Sequence, residues 1–311
     1  MPNYNGVWSL STHYQYRTDW PTSISGNVAM SFGGYVSNIV NTIQYFHIDT
    51  LGNAIDFGDL SAAKRTGGAT CSATRGVYAG GTSSVNTIEF VTIASASNSS
   101  DFGDLTVGRS TLCGGGSATR GLFAGGGSNV IDYITISSEG NATDFGDMYV
   151  AASKSGMCGS STRALIAGGY VHPNYYNNVG YVTIANTGNT TDFGDLSAAR
   201  YTAEGASSAT RAVFGGGIEA GDTAVDTMDY FTIASTGNAT DFGNLTATRK
   251  DHGSASSKVR GVFTGGKAAG SRTATIDYIT IASTGNGADF GDLLAANQDV
   301  ESASNSHGGI A

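Results

Sequence analysis

The stretch that decides the fold is TDFGDLSAAR at residues 191–200, because its centre recurs at a nearly constant interval. Asp-Phe-Gly followed by Asp or Asn and an apolar residue occurs six times, in steps of 45, 43, 48, 49 and 48 residues. A period in this range is typical of proteins that stack one supersecondary unit repeatedly. The copies begin at Asp56, Asp101, Asp144, Asp192, Asp241 and Asp289. The 311 residues are therefore predicted to form one repeat array, a single domain over 1–311.

Asp-Phe-Gly is also the sequence of the magnesium-binding loop of protein kinases, and this match would make Asp192 a metal ligand. A kinase needs that aspartate once, and it also needs a His-Arg-Asp loop and a Val-Ala-Ile-Lys strand. The sequence contains neither of these motifs. The repetition therefore indicates architecture rather than phosphotransfer.

Each repeat is predicted to contain four short strands. In residues 197–245 a small-residue segment around Glu204–Ser208 is followed by the apolar strand RAVFGGG, which ends in a glycine pair. The aromatic and β-branched strand TMDYFTI comes next, and after the turn STGNAT the short strand DFGNL. Four strands in about 45 residues is the size of one β-propeller blade. The predicted fold class is therefore all-β, a propeller of four-stranded blades.

The order of these segments resembles the kelch repeat over nearly the whole chain: Arg, a small-residue strand, apolar residues ending in Gly-Gly, a Tyr strand, then an aromatic followed three residues later by Leu. Kelch repeats usually carry Trp shortly after the Tyr, whereas this chain has Phe193 and its equivalents at longer spacing. Sequence segments such as IDYITIASTGNGADFGDL at 276–293 also resemble kelch-like repeats in virion and tail proteins of marine tailed phages, particularly cyanophages. That second resemblance implies a tail, tail-fibre or surface protein, with other virion proteins and a host-surface glycan or protein as expected partners.

The sequence is compatible with two different numbers of blades. Six complete repeats are expected at about 11–60, 61–105, 106–148, 149–196, 197–245 and 246–293. The segment 294–311 matches a first strand and most of a second, and NGVWSL at 5–10 matches an outer strand. Joined, the two would make a composite closing blade that pairs otherwise exposed edges. Seven blades are therefore favoured, with six as the alternative.

Charge and composition exclude several classes of partner. A formal charge of −9, with no basic run, disfavours binding to nucleic acid or anionic lipid. Eleven of the 25 acidic residues belong to the six repeated segments, so much of the acidity is architectural. The first ten residues lack the pattern of a signal peptide, and no apolar run approaches the roughly 18 residues of a membrane span. The expectation is a virion protein, or otherwise a soluble one, without membrane insertion.

No cofactor, metal or catalytic set is expected. GVFTGGKA at 261–268 nearly spells a P-loop but lacks the final Ser or Thr and any helix pattern after it. The repeated Asp residues could bind calcium or line a ligand-binding ring, but alternation with Arg favours ion pairs between blades and turn capping. The histidines assemble no catalytic motif, and an enzyme on a kelch propeller is disfavoured. Cys71, Cys113 and Cys158 are predicted to be small buried residues of equivalent strands.

The candidate binding residues come from loops that differ between repeats. The loop after each glycine pair varies most, and YVHPNYYNN at 170–178 carries the densest aromatic set. It shares a predicted propeller face with the connections between blades, and aromatic and Arg side chains suit glycan stacking or protein docking. Ordinary drift between repeats would also explain the variation. The predicted set is Tyr170, His172, Tyr175, Tyr176, Arg65, Arg109, Arg200 and Arg249. A free, lectin-like carbohydrate-binding propeller is the alternative to the virion protein.

Overall fold

Each repeat folds into the four short strands that its sequence predicts. In the computed structural model, which describes residues 24–310, the segment 197–245 forms Glu204–Ser207, Arg211–Gly215, Thr227–Thr232 and Thr240–Asn244. These strands pair antiparallel in chain order and form one sheet. The predicted all-β class is confirmed.

The described residues contain six such four-stranded sheets, which we number along the chain. From the first strand to the fourth, sheet 1 consists of Glu301–Ser304, Val28–Phe32, Thr42–His47 and Ile55–Asp59, and sheet 2 of Gly68–Cys71, Arg75–Ala79, Thr87–Thr92 and Ser100–Asp104. Sheet 3 consists of Leu112–Gly116, Arg120–Gly125, Val130–Thr135 and Thr143–Asp147, and sheet 4 of Gly156–Gly159, Arg163–Val171, Asn174–Thr183 and Thr191–Asp195. Sheet 5 is the one described above, and sheet 6 consists of Gly253–Ser256, Arg260–Thr264, Thr275–Thr280 and Ala288–Asp292. Short strands at Arg200–Tyr201, Ile218–Glu219 and Thr223–Ala224 form a small sheet, as do Lys267–Ala268 and Ser271–Arg272, and Thr82–Ser84 is one 3₁₀ turn.

The first strands of the six sheets lie side by side around a central channel. They contact one another in cyclic order, from sheet 1 through sheet 6 and back to sheet 1. Residues of all six first strands line the same cavity along this channel. The architecture is β-propeller-like.

The first strand of sheet 1 comes from the far end of the chain. Glu301–Ser304 pairs antiparallel with Val28–Phe32, with Ala29 opposite Ser304. This segment belongs to the 294–311 half of the predicted closing blade. The other half, 5–10, and the beginning of the predicted first repeat at 11 lie outside the described residues, so a seventh blade stays a prediction.

The repeated Asp-Phe-Gly-Asp forms the fourth strand of each sheet and attaches it to the next sheet. Gly194 lies at a bulge with φ of +145°, and a Cβ there would lie 2.2 Å from the Gly237 carbonyl oxygen of sheet 5. The following Asp195 N–H donates to Asn238 Oδ1 at 3.1 Å. The equivalent donor–acceptor pairs are Asp59–Asn98, Asp104–Asn141, Asp147–Asn189, Asn244–Asn286 and Asp292–Asn53. Because the last pair joins sheet 6 to sheet 1, this contact is also cyclic.

The Phe of Asp-Phe-Gly-Asp is a core residue in each sheet. Phe193 is 2% exposed and packs edge-on against Tyr181 of the third strand, with ring centroids 5.7 Å apart. The five equivalent Phe residues are equally buried and stack in the same way on Tyr45, Phe90, Tyr133, Tyr230 and Tyr278. Each of the three cysteines lies buried in a first strand, which confirms that prediction.

The arginine that begins a second strand joins neighbouring sheets. Arg211 lies over the Tyr230 ring at 4.3 Å and donates from Nη1 to the Ile281 carbonyl of sheet 6. Arg75, Arg120, Arg163 and Arg260 make the equivalent stacking and hydrogen bond. For these five arginines, the acceptor in the neighbouring sheet is a backbone carbonyl and not the predicted Asp.

Candidate binding face at the channel mouth

One end of the channel is built by six residues that precede the first strands. Each has a left-handed backbone, with φ between +53° and +60°, although none is glycine. They are Thr66, Thr111, Lys154, Thr202, Asp251 and Asp299. The N–H of Thr111 donates to the Thr66 carbonyl, and four further bonds of this kind connect the six residues. Strained conformations of this type persist where surrounding structure determines them, and they are common at functional sites. We call this end the mouth.

The connections between second and third strands return to the mouth. Tyr170 pairs with Ser153, Ile218 with Tyr201, and Lys267 with Lys250, in each case beside a residue of the mouth. Tyr35 pairs likewise with Gln298. The repeat-specific segments and the mouth of the channel therefore share one face, and the connections between sheets lie on this face as well.

Three tyrosines form a cluster on this face. Tyr170 and Tyr175 face each other across a hairpin that extends sheet 4, with ring centroids 5.3 Å apart. Both rings also lie against Tyr201, at 5.1 and 5.5 Å. Lys154 Nζ lies 5.7 Å from the Tyr201 ring, and the Tyr170 hydroxyl hydrogen-bonds His172 Nδ1 at 2.7 Å. The tyrosines are partly exposed, and rings of this kind provide stacking surfaces for a ligand.

Segment 170–178 differs from its prediction in one respect. It is not a free loop, because Tyr170 belongs to the second strand of sheet 4, and Tyr175 and Tyr176 belong to the third. Tyr176 pairs with Gly169 through its backbone, and no aromatic partner within the described residues stacks on its ring. The structure therefore brings Tyr170, His172 and Tyr175 together and places Tyr176 beside them.

Arg65 lies at the mouth, as predicted. Its Nη1 donates to Asp299 Oδ2 at 3.0 Å, and its guanidinium lies 5.2 Å from the Tyr35 ring. Arg272 approaches the same ring at 5.1 Å. Across the channel Lys154 Nζ donates to Asp251 Oδ1 at 3.0 Å. The mouth therefore carries two ion pairs between sheets, in surroundings that solvent reaches.

The other three predicted arginines are not at the surface, which corrects that part of the prediction. Arg200 is fully buried, and its Nη2 donates to Asp229 Oδ2 at 3.0 Å. Arg109 pairs in the same way with Asp132, and Arg249 with Asp277. Burial lowers the pKa of Arg200 and Arg249, while the partner carboxylate raises it. A guanidinium enclosed with its carboxylate cannot contact a partner, so these residues stabilise the connection between sheets.

A wide recess and two narrow cavities follow one another along the axis. The mouth is a recess of about 450 Å³, whose lining includes Arg65, Lys154, Asp251 and Asp299. Below it the channel narrows to a cavity of about 30 Å³ and continues into one of about 50 Å³. Glu204 and Glu301 line both of the narrow cavities, so they mark the constriction.

The acidic residues at the constriction have perturbed pKa values. Burial first, and then the Asp251 charge, raise the pKa of Glu204 to about 8, while the Ser254 hydroxyl lowers it. Burial and repulsion from Glu204 raise the pKa of Glu301 well above its ordinary range. A carboxyl whose pKa lies near neutrality exchanges its proton readily when a charged group approaches.

The far end of the channel is crossed by the segment after the last strand. His307 Nε2 donates to the Cys71 carbonyl, and its Nδ1 accepts from the Gly309 N–H. These two bonds require a neutral ring with its proton on Nε2, and burial correspondingly lowers the His307 pKa. Gly308 N–H donates to Ser207, and the Gly309 carbonyl accepts from Ala118. Residues 307–309 therefore bridge the ends of sheets 2, 3 and 5.

Sequence reasoning missed the residues of the mouth. Lys154, Asp251 and Asp299 replace a Thr found at the same place in other repeats, and Glu204 and Glu301 replace a small residue. The signal that could have revealed them is a charged residue at a position where most repeats carry a small or neutral residue. Within residues 24–310, no three or more His, Cys, Asp or Glu side chains are arranged to hold a metal ion.

Comparison with protein-family models finds no match, and comparison with curated proteins finds no significant similarity. Function must therefore be argued from the geometry of the mouth. No helix within residues 24–310 is long and apolar enough to cross a membrane.

Proposed function

We propose that the six sheets form a closed six-bladed β-propeller of the kelch-like type. Three sets of contacts support closure: first-strand contacts, the Asn side chains that cap the fourth strands, and Arg260, which donates to Ile48 of sheet 1. Six blades is the smaller of the two counts that the sequence allowed. The propeller is rigid because both edges of the array are paired.

We propose further that this propeller is a non-enzymatic docking module of a phage virion, a tail, tail-fibre or surface component. The resemblance of its repeats to those of marine tailed phages supports the location. The observation that carries docking is the tyrosine cluster of Tyr170, Tyr175 and Tyr201 beside the mouth. Partly exposed aromatic side chains on a rigid scaffold resemble the hot spots of protein interfaces.

A double variant tests this proposal. Tyr175→Ala with Tyr201→Ala removes two of the three stacking surfaces, and a hot-spot pair should weaken docking onto purified tail or capsid components at least about tenfold. Tyr149→Ala is the matched control, because Tyr149 is 72% exposed but lies outside the cluster. Docking is measured by biolayer interferometry, and folding by circular dichroism. Unchanged docking of the folded double variant, or absence of the chain from purified particles, would overturn the proposal.

The lectin-like alternative rests on the same tyrosines, since aromatic faces also stack on sugar rings. Tyr175→Ala with Tyr176→Ala is expected to leave folding intact and weaken partner or glycan binding. A glycan array separates the two functions. Selective glycan binding that is lost in the cluster variant, without docking onto virion proteins, would favour the lectin.

A further inference from the structure

Two carboxylates in the channel have no cationic partner within residues 24–310. The ion pairs at the mouth neutralise Asp251 with Lys154 and Asp299 with Arg65. Glu204 and Glu301 lie one layer deeper and form no ion pair. Carboxylates at such a depth are normally paired with a cation or protonated. The constriction therefore favours a positive charge arriving from the mouth.

Neutral oxygens point to the same kind of ligand. Thr202 lines the narrow cavity next to Glu204; it is 6% exposed, and its Oγ1 has no hydrogen-bond partner. Gln298 lines the mouth, is 7% exposed, and leaves its Oε1 without a partner. Buried polar atoms are usually satisfied, so an unpartnered one calls for an explanation. Both atoms can accept a hydrogen bond from a donor that passes along the axis.

The shape of the channel restricts the donor. The recess of about 450 Å³ narrows to about 30 Å³ at the constriction. A sugar ring or a folded segment fits the recess, but only a thin chain reaches the two glutamates. Residues 307–309 cross the opposite end, so the approach is from the mouth. A lysine side chain has the required form, since a compact ammonium with three donors ends a flexible four-carbon stem.

We propose that the channel is a binding site for a lysine side chain of a docking partner, with its ammonium between Glu204 and Glu301. The stem occupies the axis between Lys154 and Arg65, whose charges are already compensated by Asp251 and Asp299. Thr202 Oγ1 accepts a hydrogen bond from the ammonium. The inference rests on the proposed docking function and specifies the chemistry that the mouth recognises.

The affinity should increase with pH. Asp251, Asp299, Lys154 and His252 are the other titratable groups lining the narrow cavity with the two glutamates. Burial and the neighbouring Arg249 lower the His252 pKa to about 3, so this ring is neutral throughout. Since the Glu204 pKa is raised to about 8, protons compete with the ammonium for this carboxylate more strongly at pH 6 than at pH 9. The lysine ammonium, with an ordinary pKa of about 10.4, stays charged over this range.

The test uses Nα-acetyl-lysine methylamide and, as its uncharged isostere, Nα-acetyl-norleucine methylamide, titrated into the full chain by calorimetry or NMR. Saturable binding of the lysine probe alone is expected, tighter at pH 9 than at pH 6. Glu204→Gln and Glu301→Gln should each weaken it about tenfold or more, as loss of a charge pair does. Glu139→Gln, an exposed glutamate outside the channel, should leave it unchanged.

Three results would overturn the inference: equal binding of the norleucine probe, tighter binding of glucosamine than of the lysine probe, or folded glutamine variants that bind as wild type. Failure here is separable from failure of docking. If the tyrosine variant loses docking while the lysine probe does not bind, only the lysine site is wrong. If the probe binds but the tyrosine variant docks normally, the docking face is wrong.

Discussion

In most repeats a pair of polar side chains links the connection between two sheets to the second of those sheets. The two residues of this pair change together from one repeat to the next. At the position of Arg200 and its partner Asp229, four repeats carry a cation and a carboxylate. Sheet 1 has two amides instead: Asn297 donates to the Gly33 carbonyl, and Gln44 accepts from the Leu294 N–H. Sheet 4 has Ala152 and Gly180. A charge therefore occurs at this position only where its partner does, as expected where an unpaired buried charge is costly.

This pairing makes a prediction at the scale of single residues. Arg200→Ala should lower the free energy of unfolding by about 3–5 kcal/mol, because Asp229 stays buried without its cation. The double variant Arg200→Asn with Asp229→Gln copies sheet 1 and should recover about half of that loss or more. Chemical denaturation of both proteins measures the difference, with Glu139→Ala for comparison, since it removes the exposed partner of an ion pair and leaves the other contacts of Arg75 in place. If the double variant is as unstable as the sum of both single changes, the two residues do not act as a pair.

At the scale of the strand, the glycine of Asp-Phe-Gly-Asp is required for contact as well as for conformation. Gly194→Ala would place a Cβ 2.2 Å from the Gly237 carbonyl oxygen. Gly237→Ala is the matched control, since its φ of +159° resembles the +145° of Gly194 but nothing lies within 4 Å of its Cβ. Gly194→Ala should therefore be less stable than the control by about 1–3 kcal/mol, the usual cost of overpacking. Thermal unfolding compares the two, and equal losses would show that only backbone strain matters.

The strands could be predicted from sequence because their signals are local and occur six times. RAVFGGG ends in a glycine pair, and TMDYFTI is rich in aromatic and β-branched residues, as strands are. The strand Glu204–Ser207 is one residue shorter than expected. The mouth could not be assembled in this way. Tyr201 and Tyr170 belong to different repeats, and only the packing of sheet 5 against sheet 4 brings their rings to 5.1 Å. The buried and partly exposed cations, by contrast, could have been separated by alignment: Arg200 lies four residues after Leu196, as Lys64 does after Leu60, whereas Arg65 lies one residue later.

At the scale of the whole molecule, the strand Glu301–Ser304 connects the two ends of the array. It pairs with Val28–Phe32 on one side, and its residues line the channel on the other. Ser304 Oγ donates to the Ser256 carbonyl of sheet 6, and Ser302 hydrogen-bonds both Ser31 and Thr264. In the closed ring that we propose, no sheet has a free neighbour-facing side, and the stability of the array is therefore expected to be cooperative.

Removal of residues 301–311 should therefore affect more than the sheet that loses a strand. Val28–Phe32 would keep its pairing with Thr42–His47 but lose its hydrogen bonds to Glu301–Ser304, and sheet 6 would lose a neighbour, so amide exchange should accelerate in both. The denaturation midpoint should fall, and the transition should broaden as the closed ring becomes an open array of repeats. A chain lacking only residues 310–311 is the control, since it keeps the strand and the His307 contacts. Slow, unchanged exchange in Val28–Phe32 of the shorter chain would contradict closure by this strand, because unpaired amides at that edge cannot be protected.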